Sequence, residues 1–250
     1  MSETRPTVEV QRHIRCRPGD VARYVLLPGD PARAGRIAER MEGARKVAEN
    51  REFTVYTGST AGVPVSVCST GIGGPSASIA LEELANIGAE VFIRVGSAGG
   101  RQKDIAIGTP VVITASHRGE GTSRAYLPPE FPAVADLDVT NALVEAARES
   151  GFPWRAGIGF TRDAFYNQDQ ALNQLLTRAG VVAAEQEAAL LFVVGSWRHV
   201  RVGAVVGTDS NILLEKQPTQ GEKEAIYREG ETKVIGIALR AVALLAARGI

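Results

Sequence analysis

The feature of this chain that most constrains its fold is the alternation of short apolar runs with longer segments of helical periodicity. Runs rich in Val, Ile, Leu and Ala are typical of buried strands, and apolar residues three and four apart are typical of helices. The predicted strands are 24–27, 63–68, 91–96, 107–115, 156–161 and 200–207, and the predicted helices are 31–40, 75–87, 140–150 and 222–248. Residues 181–194 begin as an extended segment and turn helical.

This alternation is typical of a mixed, mostly parallel sheet flanked by helices. We therefore predict one α/β domain over residues 1–250, with residues 1–20 as an N-terminal arm. Residues 117–136 are rich in Pro and Gly and carry no period, which predicts a functional loop.

The composition excludes several classes of partner. The 28 basic and 28 acidic residues balance, which argues against nucleic acid or an anionic membrane as partner. No apolar run approaches the ~20 residues of a membrane span, and the first residues lack the apolar core of a signal peptide. The two cysteines, Cys16 and Cys68, form no metal-binding or disulfide pattern. We expect a cytoplasmic protein.

Arg94 is a lone cation inside the apolar strand 91–96, which ends in glycine and is followed by Ser97. A buried guanidinium is costly unless it is paired or binds an anion. Ligands in open α/β sheets bind where strands end. Arg94 is therefore either half of a structural ion pair or an oxyanion receptor.

A second candidate anion site is the segment 27–33, where a strand ends at Gly29 and a helix begins about two residues later. Backbone N–H groups at a helix start favour an anion, and Arg33 lies one turn into that helix. The alternative is an ordinary strand-to-helix turn with a surface arginine.

A glycine-rich segment, 69–76, follows a strand and opens a helix. Its glycines let the backbone approach a ligand closely. Ser76 replaces the last glycine of a dinucleotide-binding fingerprint, and no acidic residue ends the next strand. A nicotinamide enzyme is therefore not predicted.

Carboxylates stand directly before an apolar helix in the run Glu185-Gln186-Glu187. Such groups are expensive to bury unless they are hydrogen-bonded, and a carboxylate is suited to accept two vicinal hydroxyls, as on a ribose. The alternative is a helix start where acidic residues interact favourably with the helix dipole.

Asp209 also follows a predicted strand. It is either a site residue or a turn-forming aspartate.

Together these segments resemble the nucleoside phosphorylase-I family, and within it the uridine phosphorylases. The resemblance covers the chain from about residue 24 to the C-terminus. It is carried by CSTGIGGPSASIALEELANIGA (68–89), GDPxR (29–33), REF (51–53), IRVGSAG (93–99), EFPAVAD (130–136) and AEQEA (184–188).

The resemblance implies a role for each matching residue. Phosphate would be bound by Gly29, Arg33, Arg94 and Ser97, with Arg51 from a neighbouring subunit. Ribose would be held by Glu185, Gln186 and Glu187, and by His13 of a neighbour. Phe165 would pack against the nucleoside. Glu52, Ile72 and Ser76 match positions that hold a potassium ion between subunits in some uridine phosphorylases.

The residues that would read the base depart from the family pattern. Uridine phosphorylases usually carry Gln and Arg after the Phe-Tyr pair, whereas Gln168 fits the first position only with a gap and Gln170 stands at the second. Purine phosphorylases protonate the base with an Asp close to the place of Asp209.

The resemblance thus implies phosphorolysis of a ribonucleoside, most consistently uridine, with Arg94, Glu187 and Gln168 as the catalytic residues. Inorganic phosphate would be the co-substrate, without any other cofactor. The chain would act as a homo-oligomer, a hexamer built from dimers. The alternatives are a purine nucleoside phosphorylase, a nucleosidase that uses water, and a non-catalytic nucleoside-binding protein on the same fold.

Overall fold

Nine strands form one mixed sheet in the part of the chain described by the structure, residues 10–250 of a computed structural model. The strands are β1 Tyr24–Leu27, β2 Glu42–Asn50, β3 Phe53–Thr60, β4 Val63–Cys68, β5 Val91–Gly100, β6 Pro110–Gly119, β7 Arg155–Arg162, β8 Ala183–Glu185 and β9 Arg201–Ser210. The helices are α1 Pro31–Ala38, α2 Gly74–Asn86, α3 Leu137–Glu149, α4 Gln170–Arg178, α5 Ala188–Arg198 and α6 Gln220–Ala247.

Several helices begin where a side chain caps the free N–H groups of the first turn. Asp30, Asp136 and Asp169 each accept a backbone hydrogen bond at the start of α1, α3 and α4. Thr219 and Glu222 form a reciprocal capping box at the start of α6. These short-range signals place the starts of α1, α3 and α6 within about three residues of the predicted positions.

The sheet runs in the order β2-β3-β4-β1-β5-β8-β7-β6-β9, and β9 also pairs with β5. The last five strands of that order therefore close on themselves. β5 pairs parallel with β1 and β9 and antiparallel with β8. Because β5 belongs to both the open and the closed part of the sheet, residues at its end lie at the centre of the molecule.

Helices cover both faces of the sheet and form two core clusters. One cluster joins α2 and α5 to Phe53 and Phe92. The other joins α1, α3 and α6 to Leu26 and Ile93. The single-domain α/β fold with a mixed sheet flanked by helices is thereby confirmed.

Three elements differ from the sequence-based expectation. The pair β2 and β3 was not expected, because β2 is an exposed, charged edge strand without apolar alternation. α4 lies within a segment to which no helix was assigned, although Asp169 caps it and Leu172 packs against Phe160. The predicted loop 117–136 begins as the end of β6 and contains a short 3-10 helix, Thr122–Ala125.

The segment that leads into β1 is anchored to the core. Residues 1–9 of the predicted arm lie outside the described residues, whereas Ile14 and Cys16 are completely buried in the first core cluster. Burial raises the pKa of the Cys16 thiol to about 12, and both cysteines are free thiols. Among residues 10–250, no helix is long and apolar enough to cross a membrane.

Candidate active site

A cleft of about 930 Å³ opens where β1, β5, β8 and β9 end. Eleven of the residues predicted from the sequence line this one cleft, together with Asp30, Gly71, Gly99, Arg162, Tyr166 and Ser210. The eleven are Gly29, Arg33, Ile72, Arg94, Ser97, Phe165, Gln168, Glu185, Gln186, Glu187 and Asp209.

Arg94 lies at the base of the cleft between two buried carboxylates. Its Nε is 2.9 Å from Glu185 Oε2, and its Nη2 pairs with Glu187 Oε2. The guanidinium folds back over Gly96, where an added Cβ would come within 2.7 Å of Arg94 Cζ. The glycine after Arg94 thus makes room for the side chain, and the two carboxylates raise the pKa of Arg94 against the effect of desolvation.

The two carboxylates are held in different ways. Glu185 accepts backbone hydrogen bonds from Glu187 and Ala188, both at 2.8 Å, and one from the Thr161 hydroxyl at 2.5 Å. Glu187 accepts one from the backbone N–H of Gly73 at 2.6 Å. Glu185 is therefore fixed by its own helix start, whereas Glu187 keeps acceptor capacity toward the cleft.

Burial and proximity also affect the acidity of Glu187. Desolvation is the largest influence and raises the pKa of this carboxyl, which Arg94 opposes and Glu185 reinforces. Arg94 already compensates the charge of Glu187. The remaining lone pairs of Glu187 are therefore suited to neutral hydroxyl donors rather than to a second cation.

Arg33 approaches the same cleft from α1 and is anchored by residues distant in the chain. Its Nη1 donates to the Val95 carbonyl at 3.1 Å, and its other nitrogens bond to Glu231 and Tyr227 of α6. Arg33 is 6% exposed, so it is not the surface arginine of the alternative interpretation. Its five N–H donors leave some free for a ligand.

The helix start at α1 is already occupied by a carboxylate. Asp30 accepts from the backbone N–H groups of Ala32 at 2.9 Å and Arg33 at 3.1 Å. An anion bound here would therefore depend on Gly29 and the arginines rather than on the first turn of α1. Gly29 itself packs against the loop after β4, where an added Cβ would lie 2.9 Å from the Gly71 carbonyl oxygen.

The opposite end of the cleft is apolar and more open. Phe165 and Tyr166 are exposed and pack edge to face with ring centroids 5.0 Å apart. Gln168 donates to the Phe165 carbonyl at 2.9 Å and accepts from Asn173 at 3.3 Å. Asp209 accepts from the Ser210 hydroxyl at 2.7 Å.

Five predicted site residues do not line the cleft of their own chain. Arg51 is exposed at the turn between β2 and β3, and His13 Nδ1 lies 2.6 Å from Glu83 Oε1. Gln170 is exposed at the start of α4. Glu52 and Ser76 lie beside Gly71, where an added Cβ would come within 2.8 Å of Glu52 Cγ and 3.2 Å of Ser76 Oγ.

Sequence reasoning missed Arg162, Ser210, Tyr227 and Glu231. Arg162 ends β7 as a charge beside a buried strand, the same signal that singled out Arg94. Tyr227 and Glu231 lie in the long final helix, where nothing in the local pattern distinguishes them from other polar residues.

The chain matches proteins of one enzyme superfamily along most of its length. The sequence profile of the phosphorylase superfamily matches residues 23–243. A uridine phosphorylase of Thermococcus kodakarensis is 45% identical over 240 residues, which cover 90% of this chain and 87% of that protein. A guanosine phosphorylase of Halorubrum lacusprofundi is 37% identical, covering 94% and 99% of the two chains.

Solved structures agree with the sequence matches. The crystal structure of uridine phosphorylase from Vibrio fischeri ES114 superimposes with a TM-score of 0.89 at 32% identity, covering 96% of this chain and 99% of the other. The similarity extends over nearly the whole chain, including the cleft described above. The chain belongs to the phosphorylase superfamily, as a member of its nucleoside phosphorylase branch.

Proposed function

We propose that this chain catalyses the phosphorolysis of a ribonucleoside, with uridine preferred, to the free base and ribose 1-phosphate. The observation that carries the proposal is that Arg33, Arg94 and Glu187 line one cleft. The guanidinium donors of Arg33 and Arg94 suit phosphate oxygens, and a carboxylate beside them suits the vicinal hydroxyls of ribose.

Phosphate binds at the floor of the cleft, to Gly29, Arg33, Arg94 and Ser97. Arg51 of a neighbouring subunit completes this site, since Arg51 is exposed and does not line the cleft of its own chain. Three guanidinium groups favour phosphate over water as the nucleophile, because a hydrolase has no anion to neutralise.

Ribose binds above the phosphate. Glu187 accepts from the 2′ and 3′ hydroxyls, Glu185 and Gln186 support it, and His13 of a neighbour approaches the 5′ hydroxyl. This order places C1′ between the phosphate and the base. Holding nucleophile and electrophile in contact contributes much of the rate enhancement.

The reaction loosens the glycosidic bond toward an oxocarbenium-like state, and a phosphate oxygen forms the new bond to C1′. The negative charge of phosphate stabilises the developing sugar cation. The bonding electrons leave with the base, which Gln168 stabilises through hydrogen bonds. Inorganic phosphate is the co-substrate, and no other cofactor takes part in this step.

Phe165 packs against the base, and Gln168 reads its edge with a donor and an acceptor. Gln170 is not assigned a contact, since it is exposed outside the cleft. The 45% identity to the uridine phosphorylase of Thermococcus kodakarensis supports uridine as the preferred substrate. Asp209 lines the cleft and a guanosine phosphorylase is 37% identical, so a purine nucleoside is the second candidate.

The decisive experiment measures base release from uridine, thymidine, inosine and adenosine, with and without phosphate. We expect phosphate-dependent release, fastest with uridine, and a crippled Gln168→Ala variant beside a nearly normal Asp209→Asn variant. The reverse order, with a purine nucleoside turned over faster, would assign the second candidate. Release without phosphate would indicate a nucleosidase, and no release would leave a nucleoside-binding protein.

We also propose an oligomeric state, a bound metal ion and a cellular location for the enzyme. The active unit is a homo-oligomer, a hexamer built from dimers, because Arg51 and His13 serve a site only across an interface. A potassium ion would be held at the dimer interface by Glu52, Ile72 and Ser76. The enzyme works in the cytoplasm on small molecules in nucleoside catabolism and pyrimidine salvage.

A further inference from the structure

Arg162 is a guanidinium group in the cleft to which the proposed reaction assigns no task. It ends β7 and lines both the main cleft and a smaller adjoining cavity of about 240 Å³. Gln168 and Arg162 line both cavities, so the two side chains share one wall. Arg162 therefore lies at the end of the cleft that takes the base.

Two of the three guanidinium nitrogens of Arg162 lack hydrogen-bond partners among the described residues. Its Nε and Nη1 are buried, and neither has a hydrogen-bond acceptor among residues 10–250. The adjacent Asp163 carboxylate turns away and accepts from the backbone N–H of Gly121 at 3.0 Å. Buried polar groups are normally hydrogen-bonded, so such an exception calls for a functional explanation.

The electrostatic surroundings of Arg162 do not compensate its positive charge. Burial and, after it, the nearby charge of Arg162 lower the pKa of Arg101, so a second cation lies close to Arg162. Burial also lowers the pKa of Arg162 itself, without a carboxylate that opposes it. The half-buried guanidinium is thus short of acceptors, and a ligand that supplies one offsets part of its desolvation.

We infer that Arg162 is a specificity-determining residue that binds the carbonyl oxygen of the base at the position where cytosine and adenine carry an amino group. A guanidinium carries only donors, so it bonds to the oxo group of uracil, hypoxanthine or guanine. The exocyclic amino group of cytosine or adenine would point donors at donors and leave both unsatisfied. This inference rests on the proposed function and narrows its substrates to oxo-nucleosides.

The arginine would also compensate for a departure in this chain. Gln170 stands where the resembled enzymes usually carry their base-reading arginine, and it is exposed outside the cleft. Arg162 offers the same donors from the end of β7.

The test compares kcat/KM for uridine against cytidine and for inosine against adenosine in four proteins. These are the wild type, Arg162→Gln, Arg162→Lys and the control Arg155→Gln, which changes an exposed arginine on the same strand that pairs with Asp104. The oxo-to-amino ratio is kcat/KM for the oxo-nucleoside divided by kcat/KM for the matching amino-nucleoside. We expect Arg162→Gln to lower this ratio about tenfold or more, because a carboxamide can also accept a hydrogen bond from an amino group. Arg162→Lys should keep most of the preference, and Arg155→Gln should leave it unchanged.

Two more readouts separate this role from others. The KM for phosphate should be unchanged in Arg162→Gln, and its thermal midpoint should not fall, since the arginine has no protein partner to lose. An unaltered oxo-to-amino ratio, or a raised KM for phosphate in place of an altered ratio, would overturn the inference. A large fall in the thermal midpoint would instead assign Arg162 a structural role.

The binding of free bases separates this inference from the proposed function. Calorimetry with uracil and with cytosine, in the presence of phosphate, tests Arg162 even if the wild type releases no base. Uracil binding that weakens in Arg162→Gln supports the role of Arg162 in either case. Equal binding of uracil by both proteins contradicts it, whether or not the enzyme is a phosphorylase.

Discussion

At the residue scale, Arg94 shows how one buried cation organises a site. It neutralises Glu185 and Glu187, both about 5% exposed or less, and Gly96 leaves space for its guanidinium. The two interpretations offered by the sequence, an ion pair and an anion receptor, are compatible. Each Arg94 N–H that is not directed at a carboxylate is available to a ligand in the cleft.

Replacing Arg94 with methionine should destabilise the protein in a pH-dependent way. Removing one partner of a buried ion pair leaves uncompensated charge and costs about 3 kcal/mol or more. Glu187 already has a raised pKa in the folded protein. The penalty should therefore be largest near pH 8 and should shrink toward pH 5, as the folded state takes up a proton that the unfolded state still lacks.

The thermal midpoint at fixed protein concentration measures this effect, because ~3 kcal/mol corresponds to about 6–12 °C for a chain of this size. The double variant Arg94→Met/Glu187→Gln should recover part of the loss at pH 8. Arg201→Met, which removes an exposed pair with Asp138, should have little effect. An Arg94→Met deficit that is equal at pH 8 and pH 5 would rule out the buried carboxylates as its cause.

At the element scale, α6 connects the outer layer of the molecule to the cleft. Tyr227 and Glu231 of this helix hold Arg33, and Glu231 also pairs with Arg36. These charged neighbours lower the pKa of Glu231 despite its burial. The position of α6 along the sheet therefore sets the position of an arginine that lines the cleft.

Gly230 determines how closely α6 approaches the turn before β6. An added Cβ at Gly230 would lie 2.6 Å from Gly108 Cα and 2.9 Å from its carbonyl oxygen, both backbone atoms. Gly230→Ala should thus push the helix outward, cost about 1–3 kcal/mol and raise the KM for phosphate through Arg33.

Gly236, two turns further along the same helix, is the matched control. Its nearest atom to an added Cβ is Arg40 Nη2 at 3.9 Å. Gly236→Ala should stabilise the protein by about 0.5–1 kcal/mol, since alanine is the better helix former. Equal effects of the two substitutions, measured by thermal unfolding, would show that the approach to Gly108 does not limit the helix position.

At the scale of the whole molecule, one chain brings together most of the proposed site but not all of it. Arg51 is exposed, and His13 is engaged with Glu83. Neither residue lines the cleft of its own chain, and in the proposed function both serve the cleft of another subunit.

Mixing two impaired variants should therefore restore activity. Arg51→Ala lacks the donated arginine, and Glu187→Gln damages the receiving cleft while keeping its shape. After subunit exchange, some interfaces combine an intact Arg51 with an intact Glu187, and phosphorolysis should rise above that of either variant alone. A mixture of two differently tagged Arg51→Ala proteins, exchanged in the same way, should show no such rise. Proven exchange without recovered activity would argue against shared sites.

The amino-acid sequence by itself determined the parts of the protein that depend on short stretches of chain. Apolar runs predicted most strands and helices, and the strand ends together with the family resemblance predicted eleven residues that line the cleft. Such signals are strong because hydrophobic periodicity and side-chain caps act within a few residues.

Only the tertiary structure decided which of these residues face one another. β2 escaped prediction because an exposed, charged edge strand has no apolar period. The pairing of Arg94 with Glu185 and Glu187, and of Arg33 with Glu231, joins residues that are far apart in the chain. Two nitrogens of Arg162 find no partner among residues 10–250 for the same physical reason: whether a polar group is satisfied depends on every element packed around it.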